Sequence, residues 1–437
     1  MKRVLLLNPP SPPGTTINRE GAAGMGNRYA SAGAFLYPPQ TLAACAAVLR
    51  QAHDADVALL DATAEGLTSA ETLARIAAWS PDVLVAQVSW SGWDEDLAFC
   101  AALRAARPAL PLIVSGTILR RPDYAARAAG VCDLVLIGEP ERALPAACQQ
   151  VERGAGPGRV ATAAELTPAD YDAASYLRDI ESLPPPAWDL APASRYRALT
   201  LLSARGCDAQ CAYCPYVIGW GPRFRACSPR RTVDELAWLK ETFRPARLMF
   251  RDSVFAHDRQ RVVEICELVA TRRLACAWEC ESRPEHLDAD LLRLMRRAGC
   301  VTVKVGVESA APARLVQLGR LPDLAAAPAY LARLREIGAA CRRLDVRLHV
   351  FLLAGWADAG PDELEATAQL VRQMAPAHVT VKTVEAYPGT PWAALGTPAD
   401  PARAEEARRQ LAGLAQPAPA RRPFWRRALG WLRRRLS

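Results

Sequence analysis

Short apolar runs alternate with amphipathic stretches over the first 150 or so residues. Arg3–Asn8, Val57–Asp61, Val83–Ser89, Leu112–Ser115 and Leu134–Ile137 are each brief and almost wholly apolar, as strands buried on both faces should be. Helical periodicity fills the gaps near 40–51, 69–78, 94–106 and 120–129 and returns after Pro140. Strand and helix in alternation predict a parallel sheet covered by helices. Ligands of such sheets bind at the carboxyl ends of the strands. That rule selects Asn8–Pro13, Asp61–Thr63, Ser89–Trp93, Ser115–Thr117 and Gly138-Glu139. The glycine-rich stretch Gly21–Asn27 reads as a mobile loop at the same rim.

The pattern fades between 153 and 197, where Pro184-Pro185-Pro186 cannot be helical, and this stretch reads as an interdomain linker. Six more strand-then-helix units follow, with strands near 198–203, 246–252, 275–281, 300–307, 346–353 and 378–385. They predict an incomplete (β/α) barrel with its chemistry at the carboxyl rim. Two helices have legible ends: Thr232-x-x-Glu235 reads as a capping box, and Asp288 and Gly299 bracket a helix with Leu291, Leu294, Met295 and Ala298 on its apolar face.

A chain of 437 residues that is 51% hydrophobic can bury a core in each of two domains. Its 54 basic and 46 acidic residues give +8, but Arg421, Arg422, Arg426, Arg427, Arg433, Arg434 and Arg435 fall in a stretch without acids, which leaves +1 for the first 420 residues. A nearly neutral body gives no reason to expect a nucleic-acid partner. In the tail, Phe424, Trp425, Ala428, Leu429, Leu432 and Leu436 recur at helical spacing among the arginines. That pattern predicts a helix lying on an anionic membrane surface. The start of the chain is too short in apolar residues for a secretory signal, and no run approaches the roughly 18 to 20 residues that span a bilayer. The expected location is the cytoplasm, peripheral to the inner membrane face. The thirteen cysteines are then expected to be reduced, and clustered ones become metal candidates.

Such a cluster follows the first barrel strand in Arg205-Gly206-Cys207-Asp208-Ala209-Gln210-Cys211-Ala212-Tyr213-Cys214. Three thiolates so spaced can hold three corners of an iron–sulfur cubane and leave the fourth iron open. The spacing alone also admits a zinc site completed by a distant residue, or ordinary loop cysteines. Cys276 and Cys280 read as buried thiols, and Cys227, Cys266, Cys300 and Cys341 as core.

Cys-x3-Cys-x-aromatic-Cys resembles the mark of the radical S-adenosylmethionine superfamily. The resemblance extends through Phe250-Arg251-Asp252-Ser253, Gly306-Val307-Glu308-Ser309 and Tyr387-Pro388-Gly389-Thr390-Pro391, which match its cobalamin-associated branch. It implies a [4Fe–4S] cluster on Cys207, Cys211 and Cys214, with Tyr213 near the adenine of S-adenosylmethionine. Glu308 and Ser309 are implied to meet its amino acid or ribose. Asp252, which stands where Gly-Gly-Glu is often found, is implied as a further contact of S-adenosylmethionine.

Upstream, Asn8-Pro9-Pro10, Tyr37-Pro38-Pro39 and Gly138-Glu139-Pro140-Glu141 resemble the cobalamin-binding domain of that branch. Asn8, Pro9, Ser89, Trp90, Trp93, Ser115, Gly116, Gly138 and Glu139 are the implied cobalamin contacts, with Ser89–Trp93 at the lower face of the corrin. Asp-x-His-x-x-Gly is absent, and His53 with Asp54-Ala55-Asp56 does not match it, so the cobalt should lack a histidine ligand. Glu281, Arg283, Glu385 and Tyr387 lie near strand ends and are substrate-pocket guesses.

The expected fold is α/β: a Rossmann-like, flavodoxin-like cobalamin-binding domain over 1–152, the linker 153–197, a partial (β/α)6 radical S-adenosylmethionine barrel over 198–400, and an extension over 401–437. The implied activity is methyl transfer to an unactivated carbon of a small, hydrophobic or membrane-delivered substrate, with a flavodoxin or ferredoxin as electron donor. Alternatives are radical ring contraction, cyclisation or rearrangement with the same cofactors, as in lipid or hopanoid modification. A noncatalytic cobalamin-binding regulator is the alternative of another class.

Overall fold

The computed structural model describes residues 2–31, 35–52, 55–154, 156–396 and 399–416. His53, Asp54 and the basic tail 421–437 lie outside the described residues. Two compact units are formed: one runs to Ser253 and includes Ala386–Gly396, and the other comprises Val254–Glu385 and the described residues after Gly396. Among the described residues no helix is long and apolar enough to cross a membrane.

In the first unit, β1 (Lys2–Asn8), β2 (Ala55–Asp61), β3 (Val83–Gln87), β4 (Leu112–Ser115), β5 (Leu134–Ile137) and β6 (Arg159–Thr162) form one parallel sheet in the order β2-β1-β3-β4-β5-β6. The first five are the strands read from the sequence, in a flavodoxin-like order. The order reverses between β1 and β3, and such a switch point opens a crevice beyond the strand ends. Leu5, Leu7, Leu84, Ala86, Val114 and Val135 form the core with residues of the covering helices Trp93–Ala106 and Pro122–Ala129.

The segment read as a linker is tied to this sheet. It supplies β6, paired with β5 from Leu134↔Arg159 to Ile137↔Thr162. It also buries Tyr171, Leu177, Ile180, Leu183 and Trp188. The apolar residues are spaced too irregularly to show a period, because they belong to turns that pack singly on the unit.

Six further parallel strands are divided between the units. β7 (Leu199–Leu201) pairs with β10 (Leu248–Phe250) in the first, and the two-residue strands β8 (Ala204–Arg205) and β9 (Arg225–Ala226) form an antiparallel ribbon between them in sequence. In the second, β11 (Trp278–Ser282), β12 (Cys300–Glu308), β13 (Arg347–Ala354) and β14 (His378–Thr383) pair in that order. The protein is thus α/β, with a Rossmann-like sheet followed by the strands of a partial (β/α)6 barrel.

Asp288 caps Ala289–Arg297 as expected, accepting from Leu291 N at 2.8 Å. Thr232 does not cap. The helix Pro229–Phe243 begins earlier, capped by Ser228, whose hydroxyl accepts from Arg231 N, with Pro229 in its first turn. Proline suits a helix start because it lacks an N–H to satisfy. Thr232 lies inside the helix and donates back to Ser228 O.

Candidate functional site

The cysteine loop of the first unit is closed at its base by the β8–β9 ribbon, whose facing pair is Arg205 and Arg225. Gly206 has φ +83°, and a Cβ there would stand 1.9 Å from Arg223 O, so only glycine fits. Cys207 N donates to Gly221 O and Cys214 N to Cys211 O, each at 3.1 Å. The Tyr387–Pro391 segment packs on the same loop. Trp392 N, in the short helix it opens, donates to Ala212 O at 2.9 Å.

Cys207 and Cys214 are partly exposed, while the other eleven cysteines are buried, Cys276, Cys280, Cys227, Cys266, Cys300 and Cys341 among them. Among the described residues no three His, Cys, Asp or Glu side chains converge closely enough for a single metal ion. Three thiols on one pinned loop, two of them partly exposed, are the donor set that the implied cluster would need. The residues present therefore fit the implied cluster.

Asp252 is fully occupied as an anchor. Its Oδ1 accepts from Ser203 N at 2.7 Å and Ala204 N at 2.9 Å, and its Oδ2 accepts from Ser203 Oγ at 2.6 Å. These bonds fix the chain where it leaves β7 for the cysteines. Tyr213 is half-buried within the loop.

The carboxyl edge of the first sheet is held by charges that the sequence did not disclose. Arg19 is 1% exposed and reaches Asp96 Oδ1 through Nη2 at 2.5 Å and Nε at 3.0 Å. It also donates to Asn8 Oδ1, Pro9 O, Pro10 O and Thr63 Oγ1. Asn8 Nδ2 donates to Asp61 Oδ1 at 2.8 Å, and Tyr196 OH to Asp61 Oδ2 at 2.7 Å. Asn8 and Pro9 thus belong to a buried scaffold under the rim. The available clue was Pro9-Pro10: their amides have no N–H with which to close a local ladder, so their carbonyls need a distant donor.

Gly21–Gly26 is not a loose loop. Ala23 and Met25 are buried, Thr117 Oγ1 donates to Ala23 O at 2.7 Å, and a Cβ on Gly26 would stand 2.2 Å from Ser91 Oγ. Ala22 and Ala23 take φ of +48° and +54°, a conformation costly for alanine. Beneath, the hydroxyls of Ser89 and Ser91 are buried with no hydrogen-bond partner among the described residues. The two neighbouring indoles differ. Trp93, at the start of its helix, turns into the core against Tyr124 and is 5% exposed, whereas Trp90 is half-buried and meets Tyr387 edge-on at 5.1 Å. Trp93 is therefore not available to stack on a corrin.

Ser115 ends β4 and Gly116 follows it, where a Cβ would collide with Val88 O at 2.1 Å. Gly138, after β5, has φ +122°. Next to it, buried Glu139 meets Arg225 Nη1 and Nη2 at 2.8 and 3.0 Å and Arg205 Nη1 at 3.5 Å, and accepts from Leu177 N at 2.6 Å. Burial alone would raise the Glu139 carboxyl, but the two guanidiniums outweigh it and hold it below the usual carboxylate range. Glu141 meets Arg205 Nη2 at 2.6 Å. The residue before the cysteine motif is thereby joined to the glutamates after β5.

In the second unit, Glu308 stands at a bulge of β12 with φ +65°. A Cβ on Gly306 would lie 2.4 Å from its Oε1, so glycine makes room for the carboxylate. Ser309 Oγ donates to Glu363 Oε1 and accepts from Ala311 N, both at 3.0 Å, and so prepares the helix Pro312–Gln317. Along β11 to β14 one face is polar. Lys304 Nζ pairs with Glu279 Oε1 at 2.9 Å, both mostly buried, and His349 Nε2 meets Thr380 Oγ1 at 2.7 Å. Burial and then the Lys304 charge push the His349 imidazole down to about 4. Sequence reading missed Glu279, Lys304 and His349. Glu281 is half-buried, Arg283 pairs with Glu285 at 2.8 Å, and Glu385 is exposed.

No family model matches the chain. An uncharacterised methyltransferase of Pyrococcus horikoshii is 23% identical over 364 residues, 81% of this chain and 77% of that protein. The anaerobic magnesium-protoporphyrin IX monomethyl ester cyclase of Synechocystis is 27% identical over 345 residues, 72% of this chain, which spans only 62% of that relative. Among solved structures, the radical S-adenosylmethionine methyltransferase TsrM of Kitasatospora setae superposes with a TM-score of 0.67 at 18% identity, covering 90% of this chain and 75% of its own. Along most of its length the chain is thus similar to a methyltransferase and a cyclase, and it shares the fold of a solved radical S-adenosylmethionine methyltransferase.

Proposed function

We propose that this protein is a cobalamin-dependent radical S-adenosylmethionine enzyme that transfers a methyl group to an unactivated carbon of a small molecule. The single observation carrying the reading is the pinned loop of Cys207, Cys211 and Cys214, joined through Arg205 to the glutamates after β5. In this reading 1–152, supplemented by β6, binds cobalamin, 198–400 carries the cluster and S-adenosylmethionine, and 401–437 is an extension. When bound, the three groups would supply a carbon-centred radical and a methyl carrier.

The chain's own residues hold and orient these groups. The three thiolates hold the cluster, and Tyr213 and Glu308 contact S-adenosylmethionine. Asp252 and Ser309 position those residues, since their polar atoms serve the loop and the helix start. Ser89, Trp90, Ser115, Gly116, Gly138 and Glu139 line the cobalamin side, with Asn8, Pro9 and Trp93 beneath them as scaffold. Glu281, Arg283, Glu385 and Tyr387 remain proposed substrate contacts.

The second reading is radical cyclisation or rearrangement. The cyclase relative favours it. One incubation separates the two: anaerobically reconstituted, reduced protein with methyl-labelled S-adenosylmethionine and a matched substrate. Labelled product with S-adenosylhomocysteine supports methyl transfer, 5′-deoxyadenosine without label transfer supports rearrangement, and neither returns the protein to a binding role.

The tail motivates a hydrophobic or membrane-delivered substrate and a location peripheral to the inner membrane face. At about 1 kcal/mol per basic residue near an anionic surface, seven arginines give several kcal/mol even after screening. Full-length protein should float with anionic liposomes at low salt and the 1–420 form should not. Equal flotation of the two would remove the support for a lipid-like substrate.

A further inference from the structure

The first unit holds a solvent-open cleft at the carboxyl edge of its sheet, with Gln87, Ser115, Thr117, Glu139, Glu141 and Arg205 in its wall. Two acceptor atoms of that wall, Glu141 Oε2 and Gln87 Oε1, are buried and have no hydrogen-bond partner among the described residues. Glu141 is 1% exposed and Gln87 6%. Neither side chain is free to turn. Glu141 Oε1 is held by Arg205 Nη2 at 2.6 Å, and Gln87 Nε2 donates to Glu20 Oε1 at 3.2 Å. Folded proteins satisfy nearly all buried polar atoms, and an unanswered acceptor costs about 1–3 kcal/mol, more on a charged group. Two of them in one cleft, after β3 and after β5, point to a ligand that brings donors.

We propose that Glu141 and Gln87 are the cleft's specificity residues for primary-amide N–H donors, which, on the reading of this unit as a cobalamin site, are the peripheral carboxamides of the corrin. Both open atoms only accept. The adjacent guanidiniums of Arg205 and Arg225 are engaged with Glu139 and Glu141, so they are not spare partners for an anion. A free carboxylate at the same place would set oxygen against oxygen. The cleft therefore selects the fully amidated corrin over a corrin carrying a free acid.

The test is equilibrium titration of anaerobically purified full-length protein, read by corrin absorbance and independent of turnover. Cobalamin is compared with its b-, d- and e-monocarboxylic acids at neutral pH. At least one acid should bind wild type about tenfold or more weakly than cobalamin, the scale of one lost charge-assisted hydrogen bond. Glu141→Gln offers an N–H where only an acceptor stood, and should narrow that gap. Gln87→Leu removes the second acceptor and should weaken cobalamin while keeping the gap against an acid that Glu141 rejects. Equal binding of all three acids to wild type overturns the proposal, as does a gap that survives in both variants. If Glu141→Gln does not fold, the wild-type series and Gln87→Leu still decide. Failure of wild type to bind cobalamin at all would instead overturn the cobalamin reading, and this inference with it.

Discussion

Cys211→Ala should leave the reconstituted protein without a [4Fe–4S] cluster and should reduce 5′-deoxyadenosine formation to background. Cys211 is the most enclosed of the three motif thiols, 8% exposed, and its carbonyl accepts from Cys214 N, so it sits at the centre of the loop's fold. Removing its sulfur would leave two of the three thiolates that would hold the cluster. Cys227→Ala and Cys341→Ala are the controls. Both thiols are buried, burial pushes the Cys341 thiol up to about 12, and neither should be available as a thiolate ligand. These variants should keep iron, sulfide and S-adenosylmethionine cleavage at wild-type levels. Iron and sulfide analysis with electron spin resonance of the reduced protein decides. Four irons per chain retained in Cys211→Ala would remove the basis for the radical assignment.

Apolar periodicity made the parallel strands legible because it reports burial on two faces. It failed where a strand was too short or was buried by irregular packing. β6 is four residues long, and two of its side chains are exposed, so nothing marked Arg159–Thr162 as a strand. The polar face of β11 to β14 was overlooked for a different reason. Thr302-Val303-Lys304-Val305-Gly306-Val307-Glu308 alternates strictly, a pattern that contradicts a strand buried on two apolar faces. Read at face value, it would have named Lys304 and, by register, its neighbours His349 and Glu281.

The cysteine triad was legible because its chemistry lies in contiguous sequence, whereas the Arg205, Glu139 and Glu141 cluster joins residues more than sixty positions apart. Sequence proximity also misled at Trp90 and Trp93. Three positions apart at a helix start, they divide between rim and core, and the division depends on where the helix axis points. No local propensity contains that information. The same holds for Asp252, whose position after a strand suggested a ligand contact, but whose oxygens complete the turn leading to the cysteines.

Arg19→Met should destabilise the first unit by about 3–5 kcal/mol, the usual cost of leaving one partner of a buried ion pair alone. The guanidinium and Asp96 are 1% and 0% exposed, and the carboxylate also accepts from Ser89 N at 2.9 Å. Loss of the arginine strands that carboxylate in the interior and opens Pro10 O and Asn8 Oδ1, while Pro9 O keeps the Thr63 hydroxyl at 2.8 Å. Asp96→Leu should cost a comparable amount by stranding the cation. Arg19→Met/Asp96→Leu should then be less damaging than the sum of the two, because no unpaired charge remains, yet still below wild type, because Pro10 O and Asn8 Oδ1 lose the donor that Arg19 supplied. The first transition of urea unfolding measures all four proteins, and cobalamin titration reads the effect on the rim, where strand-end loops held by Arg19 should loosen and binding should weaken in parallel. Single variants within 1 kcal/mol or so of wild type, or a double variant that shows simple additivity, would mean that the pair is not the tie between Asn8–Pro10 and Ser89 that its geometry describes.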